Sequence, residues 1–411
     1  MRLWEPFPPL RQTLRDIPRA FTLQSLSAGL VAALMGVSGP SLLVYQAARA
    51  SNFTDGQIAS WFFAIFAVSG VFSVLLSLLY RQPICGAYSI AGAALLVPVL
   101  PGFGLHLAVG AYIMAAGLIL LLGVTGLFGR LMALFPMEVI MGMLVGVLLH
   151  FATSIFTEMT RDPVLVAPTI VVFLLAMRHG ARYLRGAPPI TVALGVGVVL
   201  VLLLRPWPSQ SIPLAPILPG FYAPQFSMDA FLSLTLPLVL LTLSSQNATG
   251  IGVLLAMGYR APVHAVTLAT GVFSLITAPM GGHGVNLATP MTALCGDDAA
   301  HPDKDLRWGA SVINGVLFSL AGIFGATLLV LIEVLPLGLV KVIAGLALVP
   351  VLLNALEKTV GSGSYRMGGF FALVISASNV TWLGIGSAFW GLVLGTALSY
   401  LVGEAHAARR S

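Results

Sequence analysis

From residue 22 onward the chain is a succession of apolar stretches, each about 20 residues long, broken by short loops. In lipid every backbone N–H and C=O must find its partner inside the protein, and a helix does this within a single segment. The chain is therefore read as an all-α polytopic membrane protein. Hydrophobic residues make up 58% of its 411 positions and charged residues only 8%, and the mean hydropathy is +0.98. Those values lie far from a soluble globular domain.

Fourteen transmembrane segments can be placed. The first seven are 22–48, 55–80, 83–100, 104–128, 136–158, 163–177 and 189–204, and the second seven are 229–257, 262–279, 281–296, 306–332, 336–356, 365–379 and 381–402. Residues 1–21 precede them as a cytoplasmic N-terminal segment, 205–228 form a periplasmic linker, and 403–411 form a cytoplasmic tail. The linker is proline-rich and carries Trp207, Phe221, Tyr222 and Phe226, which suits a loop at the membrane interface. Seven is odd, so the second set enters the membrane from the opposite face and any repeat must be inverted.

With the N-terminus inside and all segments crossing, 16 Arg and Lys fall inside and 4 outside, the latter being Arg49, Arg161, Arg205 and Lys341. If segments 3 and 10 were re-entrant, the count would be 13 to 7. The positive-inside rule favours the first arrangement, with both termini cytoplasmic. The net charge of +6 is accounted for by dispersed loop residues with no basic stripe, so no nucleic-acid partner is expected. Met1 to Ala20 lacks a short apolar core with a small-residue cleavage site, so no cleaved signal peptide is expected. Two cysteines, Cys85 and Cys295, are too few for a disulfide framework or a zinc site, and no cofactor or metal is expected.

Segments 3 and 10 are the unusual ones. Each opens on a glycine-rich polar stretch, Cys85-Gly86-Ala87-Tyr88-Ser89 and Gly281-Gly282-His283-Gly284-Val285-Asn286-Leu287-Ala288. Paired interrupted segments in equivalent positions of two halves point to a transporter's binding site. Each is read as broken, a short extended stretch followed by a half-helix that Ser89 or Asn286 would cap. Two half-helix N-termini suit an anionic, acceptor-rich ligand. The bland alternative is that both are glycine-rich packing segments. The eighth segment adds Ser244-Ser245-Gln246-Asn247-Ala248-Thr249-Gly250, the densest polar run in any span. Its hydroxyls can bond their own helix, whereas the Gln246 and Asn247 amides need interior partners. Ser38-Gly39-Pro40-Ser41 gives the first segment a proline break.

At these residues the chain resembles the benzoate/proton symporter family of bacterial inner-membrane proteins, over essentially its whole length. The resemblance implies the inverted-repeat fold shared with nucleobase and sulfate/bicarbonate transporters. In that fold a core domain (22–128 and 229–332) carries the substrate between segments 3 and 10 and moves against a gate domain (136–204 and 336–402). It implies binding of an aromatic carboxylate at Gly39, Tyr88, Ser89, Gln246, Asn247, Thr249, Gly284, Asn286 and Ala288. Nucleobase relatives place a carboxylate where this chain has Gln246, and this departure speaks against a nucleobase cargo.

A proton-coupled carrier needs a group that titrates in its cavity. His283 stands directly before a half-helix and is one candidate, although a histidine in a glycine loop often just satisfies backbone groups. Glu138 is the other, although its place beside Pro136 at the start of segment 5 favours surface snorkelling. Lys341 is the lysine inside a span, read as snorkelling to the outer interface. Gly142 and Gly146, and Gly391 and Gly395, lie four apart and mark close helix packing, within the gate or at a homodimer contact. The expected function is import of benzoate or a similar aromatic carboxylate with protons by alternating access. The alternative is a passive organic-anion uniporter or channel on the same fold. No nucleophile–base pair, metal cluster or nucleotide loop marks an enzyme or an ATP-driven pump.

Overall fold

In a computed structural model the chain wraps helices around one pair of very short strands. The structure describes residues 5–6, 8–126, 135–183, 188–204, 214, 216–361, 364–383, 385–402 and 404. Arg2, Arg130, Arg185, Arg205, Trp207, Arg409 and Arg410, used above, lie outside the described residues.

The first half comprises α1 (Leu10–Ala20), α2 (Leu23–Val37), α3 (Ser41–Ala50), α4 (Asp55–Tyr80), β1 (Gly86–Ala87), α5 (Ile90–Val99), α6 (Gly104–Thr125), α7 (Met137–Arg161), α8 (Pro163–Tyr183) and α9 (Pro189–Leu204). The second comprises α10 (Met228–Ala256), α11 (Val263–Thr277), β2 (Asn286–Leu287), α12 (Thr289–Gly296), α13 (Trp308–Ile323), α14 (Gly325–Glu333), α15 (Leu337–Val360), α16 (Arg366–Ala377) and α17 (Ser387–Leu401). Among the described residues, eight helical stretches are long and apolar enough to cross a membrane, and five shorter apolar helices accompany them.

Local sequence explains the breaks. Pro40 has no N–H to give the carbonyl of Gly36, so the helix stops at Val37 and restarts at Ser41. The orphaned Gly36 carbonyl accepts instead from the Tyr88 hydroxyl at 3.1 Å. The Ser41 hydroxyl turns back onto the carbonyls of Val37 and Ser38, at 2.6 and 2.7 Å. The start of α4 is a capping box, with Thr54 and Gln57 satisfying each other's backbone amides.

The strands come from the two halves and pair antiparallel, Gly86 with Leu287 and Ala87 with Asn286. Ala288 N–H extends the ladder to the Cys85 carbonyl at 2.7 Å. Two extended stretches inside an apolar body would leave their outer edges unpaired, at a cost of several kcal/mol per group. Side chains meet those edges. The Ser73 hydroxyl accepts from Gly86 N–H at 2.6 Å, and Ser77 donates to the Ile84 carbonyl at 2.9 Å. On the other edge, Asn247 Oδ1 accepts from Leu287 N–H at 2.9 Å, and Ser274 Oγ from Val285 N–H at 2.9 Å.

Packing sorts the helices into two sets. Around the strands α4, α13 and α2 pack together, as do α6 with α11 and α3 with α5. Buried aromatic rings fill this set, with Phe66 edge-on to Tyr88 and Phe318 at 5.5 and 5.1 Å between centroids. In the other set α16 lies between α7 and α17, α15 packs on α7, and α8 packs on α9. Here Gly142 and Gly146 lie against Gly369 and Leu373 of α16, and Gly391 and Gly395 lie against Ala372 and Gly368 of the same helix. Both small-residue stripes thus pack within the chain.

Two non-spanning segments strap the first set at opposite ends. Glu5 accepts from the amides of His264 and Ala265 at 2.7 and 2.9 Å, and Asp16 of α1 pairs with Arg81 at 2.7 Å. At the other end the linker bonds Ile323, Pro279 and His106 through the amides of Ile217, Tyr222 and Gln225.

Candidate functional site

The strand pair fixes where α5 and α12 begin, and both begin inside the protein. Ser89 caps α5, its hydroxyl accepting from Gly92 N–H at 2.9 Å, and the Ile90 and Ala91 amides, in the first turn, have no partner within the helix. The expectation that Asn286 caps the second helix does not hold. Residues 286–287 are consumed by pairing with β1, so α12 starts only at Thr289, with Ala288 as a cap residue that offers no side-chain hydrogen bond.

A cavity of about 240 Å³ opens where these helix starts meet the other set of helices. Its polar wall is Ser245, Gln246 and Thr249 of α10 with Thr289 of α12. Its apolar wall is Ile90 of α5, Met141 and Leu144 of α7, and Pro350 and Val351 of α15, with Asn354 adding a further amide. Among the described residues, no charged side chain lines it. The polar wall owes its shape to a π-helical stretch over Leu241–Asn247, which displaces the register of α10 at this depth. Thr249 and Thr289 share a hydrogen bond of 2.7 Å that ties α10 to α12.

The other residues singled out from the sequence lie at varied distances from this chamber. Asn247 is committed to scaffolding, since its Nδ2 donates to Thr270 at 3.0 Å while its Oδ1 holds β2. Tyr88, 2% exposed, spends its hydroxyl on Gly36 and does not line the cavity. Gly39 lies at the seam between the helix sets, where an added Cβ would come within 2.8 Å of Ala347 and Ile190. Gly284 has φ +114°, a conformation suited to glycine. Asn286 is 1% exposed, and neither Oδ1 nor Nδ2 has a hydrogen-bond partner. Glu138 sits in the first turn of α7, where its carboxylate accepts from Tyr365 N–H at 3.4 Å, outside the cavity lining.

His283 is enclosed by Trp61, Tyr88 and Tyr112. The indole N–H of Trp61 donates to its Nδ1 at 3.1 Å, and Nε2 faces the Ser89 carbonyl at 3.0 Å. An indole can only donate and a carbonyl can only accept, so Nδ1 carries the lone pair and Nε2 the proton. Both nitrogens of the neutral ring are occupied. To gain a proton, His283 must lose its bond to Trp61.

Sequence reasoning passed over Ser245 as a site residue and missed Thr289, Asn354 and Trp61. Polar side chains and an indole N–H inside spans need interior partners, and that demand was the available signal. The serines that hold β1, Ser73 and Ser77, were also legible, because they stand four residues apart on one face of α4.

A second, larger cavity of about 810 Å³ opens at the opposite end of α7 and α15, lined by Gln46 and Arg49 of α3, by Glu158 and Arg161 of α7, and by Glu333 and Lys341. Lys341 bonds Glu158 at 3.2 Å, and Arg161 bonds the same carboxylate oxygen at 2.9 Å.

This architecture has solved counterparts. SLC26A9 superposes with a TM-score of 0.62 at 14% identity, covering 95% of this chain and 67% of that one. The transmembrane domain of the cyanobacterial bicarbonate transporter BicA gives 0.57 at 16% identity, over 93% of this chain and 97% of that one. These likenesses establish a shared transporter fold. In sequence, inner membrane protein YdcO of Escherichia coli K12 is 36% identical across 90% of this chain and 94% of its own length. The benzoate membrane transport protein of Acinetobacter baylyi is 31% identical across 95% of this chain and 97% of its own. The family described as benzoate membrane transport protein matches residues 19–401, and the chain belongs to that family.

Proposed function

We propose that this protein carries benzoate or a similar aromatic carboxylate into the cell with protons, by alternating access across the bacterial inner membrane. The observation that carries the reading is the 240 Å³ cavity between the helix starts of α5 and α12. It is smaller than the roughly 300–1,000 Å³ typical of drug-sized ligand pockets, which suits a small ring acid. Neutral hydroxyls and amides, with free backbone N–H groups at two helix starts, favour a carboxylate without holding it in a permanent ion pair. Ile90, Met141, Leu144 and Val351 supply an apolar surface for the ring. The relatives' descriptions, a benzoate transporter and an inner membrane protein, agree with this.

Fourteen crossings, an inverted repeat and cytoplasmic termini complete the proposal, supported by the Arg and Lys distribution. The strapped set of helices acts as the core and the glycine-packed set as the gate. Gly39 sits at their seam because a sliding contact there leaves no room for a side chain.

One observation favours a second reading. Among the described residues no titratable side chain lines the cavity, and both His283 nitrogens are occupied, which suits a passive uniporter. Uptake of labelled benzoate into proteoliposomes separates the two readings. Accumulation above equilibrium under an inward proton gradient supports symport, equilibration without accumulation supports the uniporter, and no flux of benzoate sinks both.

A further inference from the structure

The larger cavity takes no part in the site described so far, yet charged side chains line it. It is walled by two groups of charges. On the wall of α3 and α14, Arg49 is shared by Asp55 and Glu333, one cation against two carboxylates. On the wall of α7 and α15, Lys341 and Arg161 share Glu158, two cations against one carboxylate. Among the described residues the cations of the second wall thus outnumber Glu158, while the two clusters together balance, three cations against three carboxylates. Glu158 is itself buried, so its two cations are held in place beside the cavity. Among the described residues Lys341 makes one hydrogen bond, to Glu158 at 3.2 Å, and an ammonium offers three donors.

A separate observation points the same way. Gln46 lines this cavity from α3, and its Nε2 is buried without a hydrogen-bond partner. A buried donor left unsatisfied is costly unless something in the cavity accepts from it. Phe151, Val340 and Leu337 give the same space an apolar side.

We propose that this vestibule is a second, outer binding site for an aromatic carboxylate, with Lys341 and Gln46 as donors to the carboxylate and Phe151 and Val340 against the ring. The inference rests on the cargo class proposed above. Along α7 and α15 the two cavities are separated by residues 145–149 and 342–349, about 9 to 14 Å of helix at 1.5 Å per residue. A ligand in the vestibule is thus distinct from one in the inner cavity and stands in line with it. In the proposed orientation the vestibule faces the periplasm and loads the carrier from outside.

The test uses Ser154→Cys, at a position that lines the vestibule, in the full-length protein in proteoliposomes. Cys85 and Cys295 are fully buried and give little background. Labelling by a membrane-impermeant maleimide is timed with and without benzoate. Benzoate is expected to slow labelling, and this protection is expected to survive Gln246→Ala in the inner cavity. It should weaken at least tenfold in Lys341→Gln and, independently, in Gln46→Leu, with Lys341→Arg retaining part of it. Protection that disappears with Gln246→Ala and ignores both vestibule variants overturns the outer site. Uptake by the parent protein is measured in the same vesicles. If benzoate uptake is absent, the cargo assignment fails; if uptake is intact without Lys341-dependent protection, the outer site alone fails.

Discussion

The two strand–helix segments face one another across a single ladder, yet they are finished differently. In the first, Ser89 closes the start of α5, and the residue opposite Asn286 is Ala87, which asks nothing of its surroundings. In the second, α12 starts uncapped at Ala288, the backbone passes through positive φ at Gly281 and Gly284, and Asn286 buries two unpartnered polar atoms. Natural folds keep such costs where function needs them. The first segment is accordingly read as the better-satisfied partner at the site and the second as the one that keeps unsatisfied groups for it. Each can be tested separately, because each has its own support.

The largest effect is expected at the support of the second strand. Asn247→Ala removes the acceptor of Leu287 N–H and the donor to Thr270 together, and orphaned buried groups cost about 1–3 kcal/mol each. A loss of about 2–5 kcal/mol is expected, read as a large fall in the thermal unfolding temperature of the purified protein. Ser73→Ala on the first strand orphans one amide and should cost about half as much. Equal losses would mean that the two strands are held alike, and that the asymmetry is confined to the helix starts.

Asn286→Ala should separate stability from transport. Since neither amide atom is bonded, its removal should leave the protein as stable or up to about 1–3 kcal/mol more stable. Benzoate uptake should fall at least tenfold, about 1.4 kcal/mol in affinity terms. Ala87→Ser, which places a polar group on the opposite strand, has no such role to disturb and should leave uptake within about twofold, under 0.5 kcal/mol. A stable Asn286→Ala protein with normal uptake would remove the working role from the second segment.

The architecture was legible because lipid imposes hard rules. Apolar runs of spanning length became helices, Pro40 broke the first of them, and the polar run around Gln246 faces a cavity. What could not be read was which polar groups were committed elsewhere. Tyr88 and Asn247 looked like cargo ligands, but the first repairs the carbonyl that Pro40 orphans and the second holds β2. Such assignments depend on contacts between residues far apart in the chain, and no local pattern records them. Thr289 escaped notice for the same reason, since its partner Thr249 lies 40 positions away. His283 lies before β2, and its bond from Trp61, 222 positions away, decides which ring nitrogen holds the proton here.

The smallest effects test the helix starts by exchanging their finish. Ser89→Ala should cost about 0.5–2 kcal/mol, the usual loss for a removed N-cap, and it frees the Gly92 amide. Ala288→Ser does the opposite, adding a hydroxyl that can accept from an amide in the first turn of α12 and stabilising the fold by up to about 1 kcal/mol. If those free amides meet the cargo, the new cap competes with it. The KM for benzoate should then rise about 2- to 10-fold, the equivalent of one hydrogen bond, while Ser89→Ala leaves KM unchanged or lowers it. The two substitutions thus move stability and KM in opposite senses, a pattern that general damage to the protein does not produce. If KM rises in both variants, the helix starts are structural, and recognition of the carboxylate falls to the side chains of Ser245, Gln246 and Thr289.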